Sequence, residues 1–558
     1  MTDDSDTAVA HMKWWGWGVD GVSFEHRDKP ALAPFCLKNV DIDLDAPPTR
    51  RPDFEDLDIT PPHLPDALAG ALRGAAGAGG LRTDAMDRVL HCAGKSLRDL
   101  VQIRLGDLPR LPDAVVYPAD EAQVQRIVDA VVAADAVLIP FGGGSNIAGS
   151  LSPVPEETRP VISLDLGRLD RVLEIDGEAG LARIQAGALG PAIEEQLGAR
   201  GYTLGHFPDS FTHSSLGGWI ATRSSGMQSD KYGDIGDITR AVRVVQPGGA
   251  LVTRPVPSTS TGPSVREMVL GSEGRLGVIT EATVQVHKVP NVRVFLGYLF
   301  PSWEQGLAAM QEIAGSDAAP SVTRVSDARE TAFSFATSKE SHGVPALVSK
   351  GLQEMLRRRG WDLEALCLSF IGYEGGRAHV VRQRALVRSI VHRHGGIGIG
   401  KGPGALYDQK KFDTPYIRDY LLDRGAVADV SETSAAWSEL LPLYRHVVDQ
   451  ASRAFDAIGV RGWVMCHLSH SYHSGACLYF TFAFKHRDQP LKEYDVVKRA
   501  IQQGFVDRVA TLSHHHGVGT EHASWLAQDI SPAGADMVAK LFAAVDPGRH
   551  LNPGKIVP

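Results

Sequence analysis

Pro140-Phe141-Gly142-Gly143-Gly144-Ser145-Asn146 directly follows the apolar run Ala136-Val137-Leu138-Ile139. The run reads as a buried strand. Three adjacent glycines at its end remove every Cβ, so successive backbone N–H groups can converge on an anion. A diphosphate is the natural guest, with an ordinary tight turn as the plain alternative. The glycine spacing is not that of the Rossmann fingerprint, and no acidic ribose partner is evident. Two further stretches share this character: Gly205 to Ile220, continuing through Ala221-Thr222-Arg223-Ser224-Ser225-Gly226, and Gly271-Ser272-Glu273-Gly274-Arg275-Leu276-Gly277-Val278-Ile279. In the first, hydroxyl residues alternate with glycines, which suits close contact with a cofactor; the second is a glycine-rich entry into a strand that suits backbone contact with one, and an ordinary glycine-rich loop is the plain alternative for each.

Around these stretches the pattern is α/β. Ala114–Tyr117 predicts a strand. Asp120 predicts a helix N-cap, with Gln123 three residues on as in a capping box. Val124, Ile127, Val128, Val131 and Val132 follow at helical spacing. Strands are predicted at Val161–Leu164, Arg183–Ala186 and Ala241–Val245, with a helix at Pro191–Ala199. A second α/β region begins near residue 290, with a strand at Phe295–Leu299, helices at Trp303–Ala314 and Ala378–His394, and a strand over Cys477–Phe484. Gly395-Gly396-Ile397-Gly398-Ile399-Gly400 follows a helix and reads as a helix stop and loop. The expected division is 1–110, 111–290, 291–510 and 511–558.

The chain has 558 residues, enough for two or three domains, and 43% hydrophobic with 22% charged residues is a soluble globular composition. Lys plus Arg is 57 against 66 Asp plus Glu, a net charge of −9 that argues against general nucleic-acid binding. The five cysteines, at 36, 92, 367, 466 and 477, include no CxxC pair, so neither a structural zinc site nor a redox pair is expected. The acidic start at Met1 to Thr7 lacks the pattern of a secretory signal, no apolar run has transmembrane length, and a cytoplasmic protein is expected.

The three glycine-rich stretches, in this order and at these intervals, resemble the FAD-binding domain of the vanillyl-alcohol oxidase superfamily. The resemblance covers roughly residues 112–288, and Asp546 to Lys555 resembles that superfamily's C-terminal return to the flavin. It implies an α+β fold: a two-lobed FAD-binding domain, an α/β cap domain and helical terminal segments. It also implies FAD contacts from Pro140, Phe141, Gly142, Gly143, Gly144, Ser145 and Asn146. Further contacts are implied from Asp209, Ser210, Phe211, Thr212, His213, Ser214 and Ser215, and from Ala221, Thr222, Arg223 and Ser224. The last set is Glu273, Gly274, Arg275, Leu276, Gly277, Val278 and Ile279. Members that attach FAD covalently through the first loop carry a histidine there. Ser145 and Asn146 stand here instead, so a non-covalent flavin is expected.

In the second half, Ser513-His514-His515-His516-Gly517-Val518-Gly519 sets three imidazoles side by side. They suit a polar active-site wall better than a metal site, which favours ligands at i, i+2 or i, i+4 with further partners. A solvated run is the bland alternative. Tyr479, on the strand Ser474 to Phe480, offers a phenol for proton transfer if nearby cations lower its pKa; a core tyrosine is the alternative. Trp14-Trp15-Gly16-Trp17-Gly18 reads as a packing or docking plug.

With these residues the resemblance narrows to the alkyldihydroxyacetonephosphate synthase family. It runs from Met12 to Gly18 through Gly205–Ile220, Ser431-Glu432-Thr433-Ser434-Ala435-Ala436-Trp437 and Gly475–Phe480 to His514–His516. By position it implies catalytic roles for Tyr479, His514, His515 and His516, and substrate binding by Arg418 of Tyr416-Ile417-Arg418-Asp419 and by Arg324. It implies exchange of the acyl group of acyl-dihydroxyacetonephosphate for a fatty alcohol, without net redox. The implied partners are a small-molecule lipid substrate, a peripheral membrane contact and a homodimer. The peroxisomal signal of the family is absent, and Thr520-Glu521-His522 replaces a basic stretch. Two rival functions stay open: an FAD-dependent dehydrogenase of a 2-hydroxy acid such as D-lactate, and a flavoprotein without turnover.

Overall fold

The computed structural model describes residues 7–338, 350–402, 404 and 414–557. The acidic start up to residue 6 and Pro558 lie outside them. Among the described residues the chain builds three main sheets. The first is small and mostly parallel: Ala114–Val116, Val161–Asp165 and Val137–Phe141 run side by side, and Leu81–Arg82 adds an antiparallel edge. The helix Glu121–Ala133 packs on it through Val124, Ile127, Val128 and Val131, and the Asp120 carboxylate caps that helix by accepting the Gln123 N–H at 2.7 Å.

The second sheet is antiparallel, in the order Val172–Asp176, Leu181–Gln185, Val278–Gln285, Thr239–Gln246, Gly249–Val252. The chain's end returns to the first sheet. Leu551 lies parallel to Leu138, the Leu138 N–H donates to the His550 carbonyl at 2.7 Å, and the Asn552 N–H donates to the Leu138 carbonyl at 2.9 Å.

The third sheet has seven antiparallel strands, in the order Ile397–Gly400, Val292–Phe300, Cys367–Gly375, Val322–Ser326, Gly462–Ser471, Gly475–Lys485, Ala426–Ala436. The helices Trp303–Ala314, Arg377–Arg393, Trp437–Ile458 and Pro490–Val506 share its core. The strand Gly475–Lys485 shows how the sheet divides its faces. Phe480, Phe482 and Phe484 are at most 1% exposed and point into the helical core, each contributing about 1.5–3 kcal/mol of burial. Tyr479, Thr481 and Ala483 alternate with them and line a cavity on the other face.

One element departs from the sequence reading. The helix does stop before Gly395, which takes φ +76°, but Ile397–Gly400 is not loop. It pairs with Val292–Phe300 as an edge strand, because Ile397 and Ile399 recur with period 2 and pack on one apolar cluster.

Candidate active site

The site is a cavity of about 830 Å³ between the glycine-rich loops and the open face of the seven-stranded sheet. Pro140 to Asn146 line it, as do Asp209, Ser210, Ser214, Ser215, Ala221, Thr222, Ser224, Glu273, Gly274, Gly277 and Ile279. Arg324, Arg418, Tyr479, His515 and His516 face the same space. An aromatic arm continues from it through Phe24, Phe35, Phe333 and Trp463, with Phe35 edge-on to Trp463 at 5.2 Å.

Several expected cofactor contacts are not in this lining. Phe211, Leu276 and Val278 are buried in apolar clusters, where their side chains complete the core. Thr212 is exposed. Arg223 takes φ 55° at a helix C-terminus and turns outward to pair with Glu267. Arg275 lies over the Phe542 ring at 4.8 Å. His213 points to Trp17, with ring centroids 5.6 Å apart, and only its carbonyl packs on the first glycine loop.

The glycines of that loop are there for protein contacts as well as for a ligand. A Cβ on Gly142 would overlap the Ser215 hydroxyl, and one on Gly143 would overlap the His213 carbonyl oxygen. The two loops therefore touch backbone to backbone, so a side chain at Gly143 meets protein before it meets any ligand. The donor set fits FAD all the same. A glycine loop and serines line it at the end of a buried strand, and Asn552, also in the lining, leaves its buried Oδ1 unpartnered while its Nδ2 donates to the Ser150 and Glu273 carbonyls at 3.0 and 2.7 Å. The volume lies within the range of about 300–1,000 Å³ usual for ligand pockets.

Tyr479 sits in the middle of a row. In the antiparallel register its Cα partners are Glu432 on one neighbouring strand and His467 on the other, so all three project from the same face. The His467 ring stacks on Tyr479 at 4.9 Å. A bulge between Leu468 and His470 adds a residue to that strand and turns His470 onto the cavity face as well. Glu330 receives hydrogen bonds from Arg324 Nη2 at 2.7 Å and from His467 Nδ1 at 2.8 Å. Burial opposes the Glu330 charge, but His467 and Arg324 overcome it and hold its pKa at about 2.

The histidine triplet is neither helix nor strand. Its backbone wraps the buried Glu432, whose Oε1 accepts from the Ser513 hydroxyl at 2.8 Å, His515 N–H at 3.0 Å and His516 N–H at 3.1 Å, while Oε2 accepts from His514 N–H at 2.6 Å. Burial opposes this charge too, yet the three imidazoles and the backbone donors hold the pKa of Glu432 well below the usual carboxylate value. The loop's far end is tied to the other lobe: Glu273 accepts from Val518 N–H at 2.6 Å, from Gly519 N–H and from the Ser150 hydroxyl at 2.8 Å. Two buried carboxylates, one from each side of the cavity, thus fix Ser513–Gly519.

The side chains then splay. His515 and His516 reach the cavity, with ring centroids 6.1 and 5.6 Å from Tyr479. His514 turns away from it. His514 Nε2 lies 2.5 Å from the Tyr472 hydroxyl, which donates to Asp234 Oδ2 at 2.7 Å. Donor atoms of Glu432, Cys477, His514 and His515 lie within 4.8 Å of one another, a spacing that a metal could use. Both Glu432 oxygens are already spent on the four donors above, so we read the carboxylate as the anchor of the loop.

Protonation runs against the sequence reading in one respect. Nearby cations were expected to lower the Tyr479 pKa. Burial raises it well above 10, the carboxylates of Asp209, Glu432 and Asp429 add to the rise, and Arg418 pulls only weakly the other way. Burial likewise lowers the pKa of His514 and His516. Arg418 Nε is buried with no hydrogen-bond partner among the described residues, and its side chain faces the cavity.

Sequence reasoning missed Glu432, Glu330, His467, Tyr472 and Asp234. Only Glu432 had a signal, a carboxylate that, with Asp429, interrupts an apolar and hydroxyl-rich strand.

Two families match the chain: "FAD binding domain" over residues 112–254 and "FAD linked oxidases, C-terminal domain" over residues 289–556. An alkyldihydroxyacetonephosphate synthase of Dictyostelium discoideum is 36% identical over 98% of this chain and 93% of its own length. One from Trypanosoma brucei brucei is 35% identical over 99% and 93%. A solved structure of an alkyldihydroxyacetonephosphate synthase superposes with a TM-score of 0.85 at 34% identity, covering 98% of this chain and 99% of that one. A mitochondrial D-lactate dehydrogenase [cytochrome] of Arabidopsis thaliana is more distant, at 24% identity over 80% of this chain and 74% of its own.

Proposed function

This chain belongs to the alkyldihydroxyacetonephosphate synthase family, and on that basis we propose that it exchanges the acyl group of acyl-dihydroxyacetonephosphate for a fatty alcohol. It is an FAD-dependent enzyme. The observation that carries the substrate reading is the single cavity, in which the glycine loops, two arginines, a tyrosine with two histidines and an aromatic arm share one lining. We further assign residues 111–290 to holding FAD without a covalent bond and residues 291–510 to covering it.

FAD, when bound, supplies a ring that supports the exchange of one oxygen substituent for another with no net oxidation. The residues of the chain do the rest. Arg418 and Arg324 bring guanidinium groups to the polar end, where a phosphate can be gripped through two N–H groups of one fork. Phe24, Phe35, Phe333 and Trp463 offer the apolar surface that a fatty chain needs and exclude water. Tyr479 keeps its proton at rest, which suits donation from Oη and later recovery of the proton. The His516 ring beside it, whose pKa burial lowers, holds a lone pair that can take up that proton. From His514 the hydrogen bonds to Tyr472 and on to the half-buried Asp234 offer a path toward solvent.

Among the described residues no helix is long and apolar enough to cross a membrane. Delivery of the alcohol from a membrane surface, and assembly as a homodimer, are part of the proposal.

The test is incorporation of labelled fatty alcohol into acyl-dihydroxyacetonephosphate with the flavin absorbance unchanged. Bleaching of the flavin by 2-hydroxy acids, with no labelled product, would replace this reading with the dehydrogenase.

A further inference from the structure

The tryptophan cluster is still unassigned, and it touches both sides of the cavity. Trp17 lines the cavity and sets its ring against His213 of the second glycine-rich loop, 5.6 Å away and edge-on. Its backbone N–H donates to Asp419 Oδ2 at 2.5 Å, and Asp419 directly follows Arg418 on the helix Thr414–Leu422. Arg104 completes the tie. Its Nη2 donates to Asp419 Oδ1 at 3.1 Å, its Nε to Asp423 Oδ1 at 3.0 Å and its Nη1 to the Trp15 carbonyl at 2.7 Å. Lys13 Nζ lies 5.3 Å from the centre of the Tyr416 ring, two residues before Arg418.

The glycines between the tryptophans are what permit this approach. A Cβ on Gly16 would stand 2.5 Å from Asp419 Oδ2, and Gly18, at φ +76°, would meet the Tyr416 ring. The side chains of Arg104 and Asp419 are 10% and 6% exposed, so their ion pair is shielded from solvent and costly to leave half-made.

We propose that Lys13–Gly18 is a clamp that sets the helix Thr414–Leu422, and with it Arg418, at a fixed distance from the flavin-side loop. Trp17, Arg104 and Asp419 are then positioning residues for the phosphate grip. The inference rests on reading Arg418 as the phosphate ligand. A guanidinium on a long side chain grips a phosphate through two N–H groups only if its helix is held in register, and a displacement of about 1 Å can cost roughly a hundredfold.

The test uses the holoenzyme with Gly16→Ala and Asp419→Asn, each alone and combined with Arg418→Ala. Flavin content, KM for acyl-dihydroxyacetonephosphate, KM for the fatty alcohol, and the Kd of dihydroxyacetone phosphate by calorimetry are measured. For either single variant the phosphate-substrate KM and the fragment Kd are expected to rise about 10- to 100-fold. Alcohol KM and flavin content should stay within about twofold, and in the Arg418→Ala background the extra loss should vanish. Equal losses in both backgrounds, or a parallel rise in alcohol KM with loss of flavin, would make the cluster a general structural prop and overturn the inference. So would failure of both variants to accumulate as folded holoenzyme. If Arg418→Ala by itself leaves the fragment Kd unchanged, the assignment of Arg418 has failed rather than the clamp.

Discussion

Replacing Glu432 by Gln is the sharpest perturbation of the site, because it changes one atom and the charge at almost constant volume. The carboxylate serves four donors: the Ser513 hydroxyl and the N–H groups of His514, His515 and His516. A glutamine with its carbonyl at the Oε1 position keeps three of them, but as neutral hydrogen bonds. Charge-assisted bonds contribute about 1.5–3 kcal/mol against about 0.5–1.5 for neutral ones, so each of the three weakens by about 1 kcal/mol. The amide NH₂ then faces the His514 N–H donor to donor, which costs about 1–3 kcal/mol more. The total, about 4–6 kcal/mol, falls on one loop rather than on the whole fold. At about 1.4 kcal/mol per tenfold, local opening of the loop becomes roughly three to four powers of ten more frequent. Hydrogen–deuterium exchange of the segment 511–519 reads this directly, and exchange should accelerate by about that factor while the strand Gly475–Lys485 stays protected. Labelled-alcohol exchange should fall with it. Acceleration of less than about threefold in 511–519 would refute the reading that this carboxylate holds the triplet in place.

Tyr479→Phe removes only a hydroxyl, so the variant should fold and bind FAD while turnover drops by roughly two to four powers of ten; near-normal turnover would return the residue to a packing role. Gly143→Val should lose flavin and also destabilise the loop, because its Cβ would meet the His213 carbonyl before any phosphate; purification with full flavin would refute the placement of the cofactor. Acid precipitation should leave a colourless pellet and a yellow supernatant, since the first loop offers no histidine for attachment. Buried His206, with a pKa of about 3, stays neutral when folded but takes up a proton when unfolded, so its own contribution to stability falls as the pH drops below about 6.5. A His206→Gln variant should therefore lose less stability than the parent between about pH 7 and 5, and an identical loss in both would contradict that.

The reach of the sequence was set by the range of the interactions involved. Pro140–Asn146 declared a glycine loop at the end of a buried strand because its meaning is local: an apolar run, then three residues without Cβ. The helices at Glu121–Ala133 and Trp303–Ala314 declared themselves through apolar spacing and capping within a single turn. Gly475–Lys485 showed its two faces by alternation alone. Family motifs then pointed to Tyr479, Arg418 and the triplet, without saying how they meet. Tertiary structure decided the rest. Sheet register put His467 beside Tyr479 across a hairpin and Glu432 beside it from a strand tens of residues away, and no local pattern encodes a cross-strand partner at that distance. Long-range packing also reversed the expected sign of the Tyr479 pKa. That value depends on burial and on Asp209, Glu432 and Asp429, whose approach only the folded chain creates. The same holds for Trp17 and Asp419: they are 402 residues apart in sequence and joined by a single hydrogen bond, so their pairing exists only in the folded chain.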